Sequence, residues 1–123
     1  MRRSFALLFA FYLAASPAWA QKDEIPEPEC DGSTTQMVEC VASIAERWDK
    51  RLNAAYQKAL KDAVSTAQRD QLRVAHRLWV RYRDANCEYY ALGEGTISRL
   101  EAASCLHDMT KSRALELEGG GKN

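Results

Sequence analysis

Residues 33–92 read STTQMVECVASIAERWDKRLNAAYQKALKDAVSTAQRDQLRVAHRLWVRYRDANCEYYAL, sixty positions with neither glycine nor proline. Both residues interrupt helices, proline by removing an amide donor and glycine by its conformational freedom, so an unbroken run of this length predicts helix. Within it, apolar side chains fall at Met37, Val41, Ile44, Trp48, Leu52, Ala55, Ala59 and Ala63. Steps of three and four residues place them on one face of the helical period, which predicts a first helix over about 35–63. Ser65-Thr66-Ala67-Gln68 then has the form of a capping box, with the Ser65 hydroxyl accepting from the Gln68 amide. A second helix is expected over about 66–90, with Leu72, Ala75, Leu78, Trp79, Tyr82, Ala85, Asn86 and Tyr89 on one face. Arg73, Arg77, Arg81, Asp84 and Glu88 project opposite. Gly93-Glu94-Gly95 breaks that helix, and Ser98 with Glu101 offers another capping box. A third helix over about 97–118 places Ala102, Leu106, Met109, Thr110, Arg113 and Leu117 together, and the glycines from 119 onward begin a flexible tail over 119–123. No alternating strand pattern and no internal repeat follows residue 20. The fold class is therefore all-α, a small antiparallel bundle of three helices.

Upstream of the helical run, Arg2 and Arg3 precede an apolar stretch from Phe5 to Ala15, and Ala18-Trp19-Ala20 is a small-x-small site before Gln21. Residues 1–20 read as a cleaved signal peptide whose apolar part is too short to span a bilayer. The first cysteine is Cys30, so no residue at the cut is placed to carry a lipid anchor. The expected product is periplasmic or secreted, with no membrane span. It keeps 15 of the 17 bases against all 17 acids, net −2, because both leader charges are arginines. That near-neutral balance gives no electrostatic footprint for nucleic acid. A chain of this size makes one domain and buries roughly 65% of its unfolded surface, so its core is modest. Residues 21–33 carry Pro26, Pro28 and five carboxylates (Asp23, Glu24, Glu27, Glu29, Asp31) against Lys22 alone, and read as an extended acidic arm before a helical domain over 34–118.

Cys30, Cys40, Cys87 and Cys105 are even in number and destined for an oxidising compartment, where disulfides persist. Three pairings are open, and sequence alone does not select one. Chain order favours Cys30–Cys40 and Cys87–Cys105, each closing a short loop and each stabilising by roughly 3 kcal/mol on the chain-entropy estimate. A Cys/His metal centre is poorly matched, since there is no C-x-x-C and only His76 and His107 exist. No cofactor is implied. A nucleophile elbow is absent, and acidic pairs are cheap in so charged a chain, so an enzyme ranks last among the readings. His76, at the edge of the second helix's apolar face, reads as a packing histidine. His107 projects beside Leu106 without an evident partner.

The unusual features are polar residues on apolar faces. Arg113 projects near the centre of the third helix's stripe beside Thr110, Asn86 does so on the second helix, and Arg83 lies just inside its edge. A buried arginine must be paired and hydrogen-bonded, because its desolvation is costly. These groups read either as a polar network holding two helices in register or as a recognition site facing a groove.

Three motifs run through these positions: Leu52-Asn53-x-x-Tyr56, then Arg77-x-Trp79-x-x-Tyr82-Arg83-Asp84-x-x-Cys87, then Cys105-Leu106-x-x-x-Thr110-x-x-Arg113-x-x-x-Leu117. Together they resemble the LprI-type lysozyme-inhibitor domain, a family of small exported bacterial proteins, over about residues 30–117. The family often has glutamine where this chain has His76, and its namesake is lipid-anchored where this chain has no anchor cysteine. The resemblance implies a periplasmic protein that binds lysozyme and protects the cell wall. The alternative is an envelope adaptor that binds another periplasmic protein. Animal lysozymes are typically cationic, and an acidic chain would attract one by complementary charge.

Overall fold

The computed structural model describes residues 24–119. The expected leader at 1–20, the first residues of the arm at 21–23 and the tail at 120–123 lie outside the described residues. Three helices follow in order, α1 over Thr34–Asp62, α2 over Thr66–Ala91 and α3 over Ile97–Leu117. No strand occurs among the described residues. At 1.5 Å per residue the helices are about 43, 39 and 31 Å long, so α1 and α2 outrun α3.

Local chemistry sets the boundaries. Ser33 caps α1 through a full capping box, its hydroxyl accepting from the Gln36 amide and its own amide donating to Gln36 Oε1 at 2.8 Å. Gly32 makes this possible, because it turns the chain at φ +99° and a Cβ there would sit 2.7 Å from Gln36 Oε1. Ser65 Oγ accepts from the Gln68 amide at 3.1 Å, as expected, while Gln68 Oε1 takes the Val64 amide instead of closing the box on Ser65. The capping box expected at Ser98 does not form. Gly95, at φ +74°, swings the chain into α3 early enough that Ser98 lies inside the first turn, where its buried hydroxyl donates to the Gly95 carbonyl at 2.8 Å. Thr96 takes the N-cap position without a side-chain cap.

α3 packs along both other helices. α2 runs antiparallel to it: Cys87 is bonded to Cys105, Arg83 reaches Thr110, and the Arg113 guanidinium lies over Trp79. α1 and α3 therefore point the same way, and Arg51 of α1 meets Glu118 just beyond the end of α3. The core is Ile44, Trp48, Leu52 and Ala114, with Ile25, Cys30, Cys40, Trp79, Leu115 and Leu117 packed on it. Four of the eight α1 positions expected on the apolar face are buried: Ile44, Trp48, Leu52 and Ala55. Both disulfides form, Cys30–Cys40 and Cys87–Cys105, and no free cysteine remains.

α2 turns a different face inward from the one its apolar spacing predicts. Leu78, Tyr82, Ala85 and Tyr89 are exposed, and the inward line is His76, Trp79, Arg83 and Cys87. The helix is rotated by roughly a quarter turn from its apolar projection. Cys87 is fixed against α3 by its disulfide and His76 is stacked on Tyr56 of α1, so one covalent and one aromatic anchor set the rotation. The inward line carries His and Arg, whose polarity pulls an apolar projection toward the wrong side. Leu106 of α3 is likewise partly exposed, and Ala114 is fully buried in its place.

Candidate functional site

α1 presents Trp48 at the centre of its buried stripe, where the helical period places it. Its ring is flanked by two cations, the Arg51 guanidinium 4.8 Å and the Lys111 ammonium 5.3 Å from the ring centroid. The indole Nε1 donates to Glu27 Oε1 at 2.8 Å. Lys111 Nζ donates to the same oxygen at 2.8 Å, and His107 Nε2 lies 3.3 Å from it. Hydrogen bonding by Lys111 above all, then by Trp48 and His107, holds the Glu27 carboxyl down at about 2 against the opposing effect of burial. The arm is therefore docked from Ile25 through Cys30, rather than hanging free of the bundle. Glu27 is 21 residues from Trp48 and 84 from Lys111, so no local spacing announces the contact.

The second cluster gathers most of the motif residues at the junction of the three helices. His76 stacks on Tyr56 with ring centroids 4.0 Å apart and on Trp79 at 5.7 Å. The Arg83 and Arg113 guanidinium groups lie 5.1 Å and 5.9 Å from the Trp79 ring centroid. Arg83 donates through Nε and Nη2 to Asp84 Oδ1, and through Nη1 to the buried hydroxyl of Thr110 at 3.4 Å, with Asp49 Oδ1 at 3.6 Å. Arg113 donates to Glu116 at 2.8 Å. The two arginine side chains are only 17% and 11% exposed. His76 Nδ1 and Arg113 Nε are buried without a hydrogen-bond partner. Burial first, and the two guanidinium groups second, push the His76 pKa below its usual value, which favours the neutral ring. Such a cluster joins three helices through rings and guanidinium groups, and the Arg83–Thr110 bond links α2 to α3. Asn86 adds Nδ2 contacts to Cys105 Sγ and Met109 Sδ of α3 at 3.4 and 3.3 Å.

Other motif residues are elsewhere. Leu52 is core, and Asn53 is exposed, donating to Asp49 at 3.3 Å. Arg77 and Tyr82 face solvent, and Asp84 is exposed while it accepts from Arg83. Leu106 lies in a groove of about 490 Å³ between α1 and α3. Ala42, Ala45, Ala103 and Leu106 give the groove an apolar lining, Glu46, Asp49 and Lys50 add charge along α1, and Arg83 and Thr110 of the clamp border it. From Glu24 to Glu46 the chain holds six carboxylates and no base, so the segment leading to this groove is acidic. Asp49 is shared between groove and clamp. Its one sequence signal is its place four residues before Asn53.

Residues 28–117 match the lysozyme inhibitor LprI family, nearly three quarters of the chain, and the chain belongs to that family. It is also 28% identical, over 135 aligned positions, to an uncharacterized protein of Rhizobium meliloti (strain 1021), covering 96% of this chain and 94% of that protein. No solved structure matches. No helix among the described residues is long and apolar enough to cross a membrane.

Proposed function

We propose that the protein is an exported binding protein that inhibits lysozyme, acting in the periplasm or outside the cell. The observation that carries this reading is family membership over residues 28–117. Two features of the molecule support it. Both disulfides suit an oxidising compartment. The acidic run from Glu24 to Glu46, ending at the α1–α3 groove, suits a cationic partner. In this reading the groove takes an apolar projection of the enzyme while Glu46 and Asp49 meet its basic surface.

The test is a turbidity assay of lysozyme on bacterial walls, titrated with the purified protein. Stoichiometric loss of activity is expected. Leu106→Arg, which fills the groove with a like charge, should abolish inhibition while leaving the helical circular dichroism intact. Absence of inhibition against every lysozyme type at about 10 µM protein would overturn the reading and favour an envelope adaptor.

A further inference from the structure

The rotation of α2 leaves an apolar line on its outer side. Val74, Leu78, Tyr82, Tyr89 and Leu92 are 38%, 58%, 62%, 74% and 77% exposed. Their steps of four, four, seven and three, with Ala85 in the gap, keep them on one stripe of about five turns, roughly 27 Å from first to last. The stripe faces away from the inward line of His76, Trp79, Arg83 and Cys87. Nothing among the described residues covers it, and a contiguous apolar strip of this kind marks an interaction surface.

The charges along one flank of the stripe specify the occupant. Leu72, Ala75, Trp79 and Asn86 turn inward, which moves the stripe's centre toward the charges that the apolar projection sets opposite. Arg77 and Arg81 therefore flank its N-terminal half, and Asp84 and Glu88 its C-terminal half. All four are exposed, and Arg77, Arg81 and Glu88 have no hydrogen bond or ion pair among the described residues. Asp84 accepts from Arg83, yet its side chain remains 57% exposed. When two copies of a helix pack antiparallel about a two-fold axis, the same flank of each meets the other, head against tail. An axis between Tyr82 and Arg83 sets Arg77 against the second copy's Glu88 and Arg81 against the second copy's Asp84. Each pair then occurs twice, as an isologous interface requires. The same axis brings Val74 to the second copy's Leu92, Leu78 between its Ala85 and Tyr89, and Tyr82 to its own symmetry mate. Apolar and charged patterns thus share one centre. A parallel pairing in register would instead bring like charges to the same level on both copies.

We propose that the outer face of α2 docks a second copy of this chain, forming a two-fold antiparallel dimer. The α1–α3 groove lies on the other side of α2's inward line, so the dimer leaves it open and does not depend on the lysozyme reading. Sedimentation equilibrium of the purified protein should give a dimer at micromolar concentration. Arg77→Glu alone, and Glu88→Arg alone, each place like charges opposite one another twice, and should weaken association by roughly tenfold or more. Mixing these two variants should restore association as a heterodimer, and the double variant Arg77→Glu/Glu88→Arg should restore it as a homodimer. Leu78→Glu should yield a monomer with unchanged circular dichroism. A wild-type monomer at all concentrations up to about 100 µM would overturn the proposal, as would a dimer indifferent to Arg77→Glu and Leu78→Glu.

Discussion

Arg113 shows how one residue combines cost and benefit. Its side chain is 11% exposed, its guanidinium carbon lies 5.9 Å from the Trp79 ring centroid, and its Nε is buried without a partner. Its ionic partner Glu116 is mostly exposed, so losing the arginine leaves no buried countercharge stranded. Arg113→Ala should therefore destabilise by about 1–3 kcal/mol through lost packing, less than the rupture of a fully buried pair. Arg113→Met, which keeps the stem and removes the unpaired donor, should stay within about 1 kcal/mol of the wild type. Urea unfolding at constant m-value measures both, and a larger loss for Met than for Ala would refute the packing account. His76 adds a pH signature. Its folded pKa lies below its unfolded value, so the folded state binds fewer protons between the two. Stability from this residue is complete above the unfolded value of 6.5 and is lost as pH falls below it. His76→Gln should flatten the stability profile just below pH 6.5. An unaltered profile would show that the imidazole protonates equally in both states.

The arm before α1 is held by a disulfide and by one carboxylate with three donors. Glu27 has a folded pKa of about 2 against 4.5 for an ordinary glutamate, chiefly through Lys111, so its contribution is present above pH 4.5 and lost as pH falls toward 2. This window lies below that of His76, and the two separate on one titration. Glu27→Gln should remove the acid-sensitive part below pH 4.5, read by tryptophan fluorescence since Trp48 Nε1 loses its charged acceptor. The α2–α3 hairpin is closed by Cys87–Cys105, and Cys87→Ala with Cys105→Ala should cost about 2–5 kcal/mol in thermal or urea unfolding. The helices themselves were legible in the sequence, because breaker-free length, a three-four period and the Ser65 cap are local signals. Trp48 and Leu52 follow directly from that period. The orientation of α2 was not legible, since Leu78, Tyr82 and Tyr89 are as apolar as a core face and only partners distant in sequence reveal the inward one. Glu27 was hidden for the same reason: a carboxylate in an acidic run looks solvated until the fold brings Trp48, His107 and Lys111 to it. The Ser33 box was visible as Ser-x-x-Gln, yet the apolar period begins after it.

For the whole molecule, the distribution of charge decides how a partner would arrive. Six carboxylates without a base run from Glu24 to Glu46, and one of them, Glu27, is already bound to Lys111. Deleting the arm would remove Ile25 from the core and Glu27 from Trp48 along with the charge, so neutralisation in place is the cleaner probe. Glu24, Glu29 and Asp31 are exposed, and no hydrogen bond or ion pair holds them among the described residues. The triple variant Glu24→Gln, Glu29→Gln, Asp31→Asn should melt at the wild-type temperature. If these groups attract a cationic lysozyme at a distance, the variant should associate more slowly and dissociate at an unchanged rate, because exposed rim charges act mainly on encounter. Wild-type association should slow with salt, as the screening length falls from about 10 Å at 0.1 M to about 3 Å at 1 M. The triple variant should show a shallower salt dependence. Stopped-flow or surface-binding kinetics against a cationic lysozyme gives both rates. Equal salt dependence in variant and wild type would remove these three carboxylates from the encounter and leave Glu39, Glu46 and Asp49 along α1 to account for any attraction.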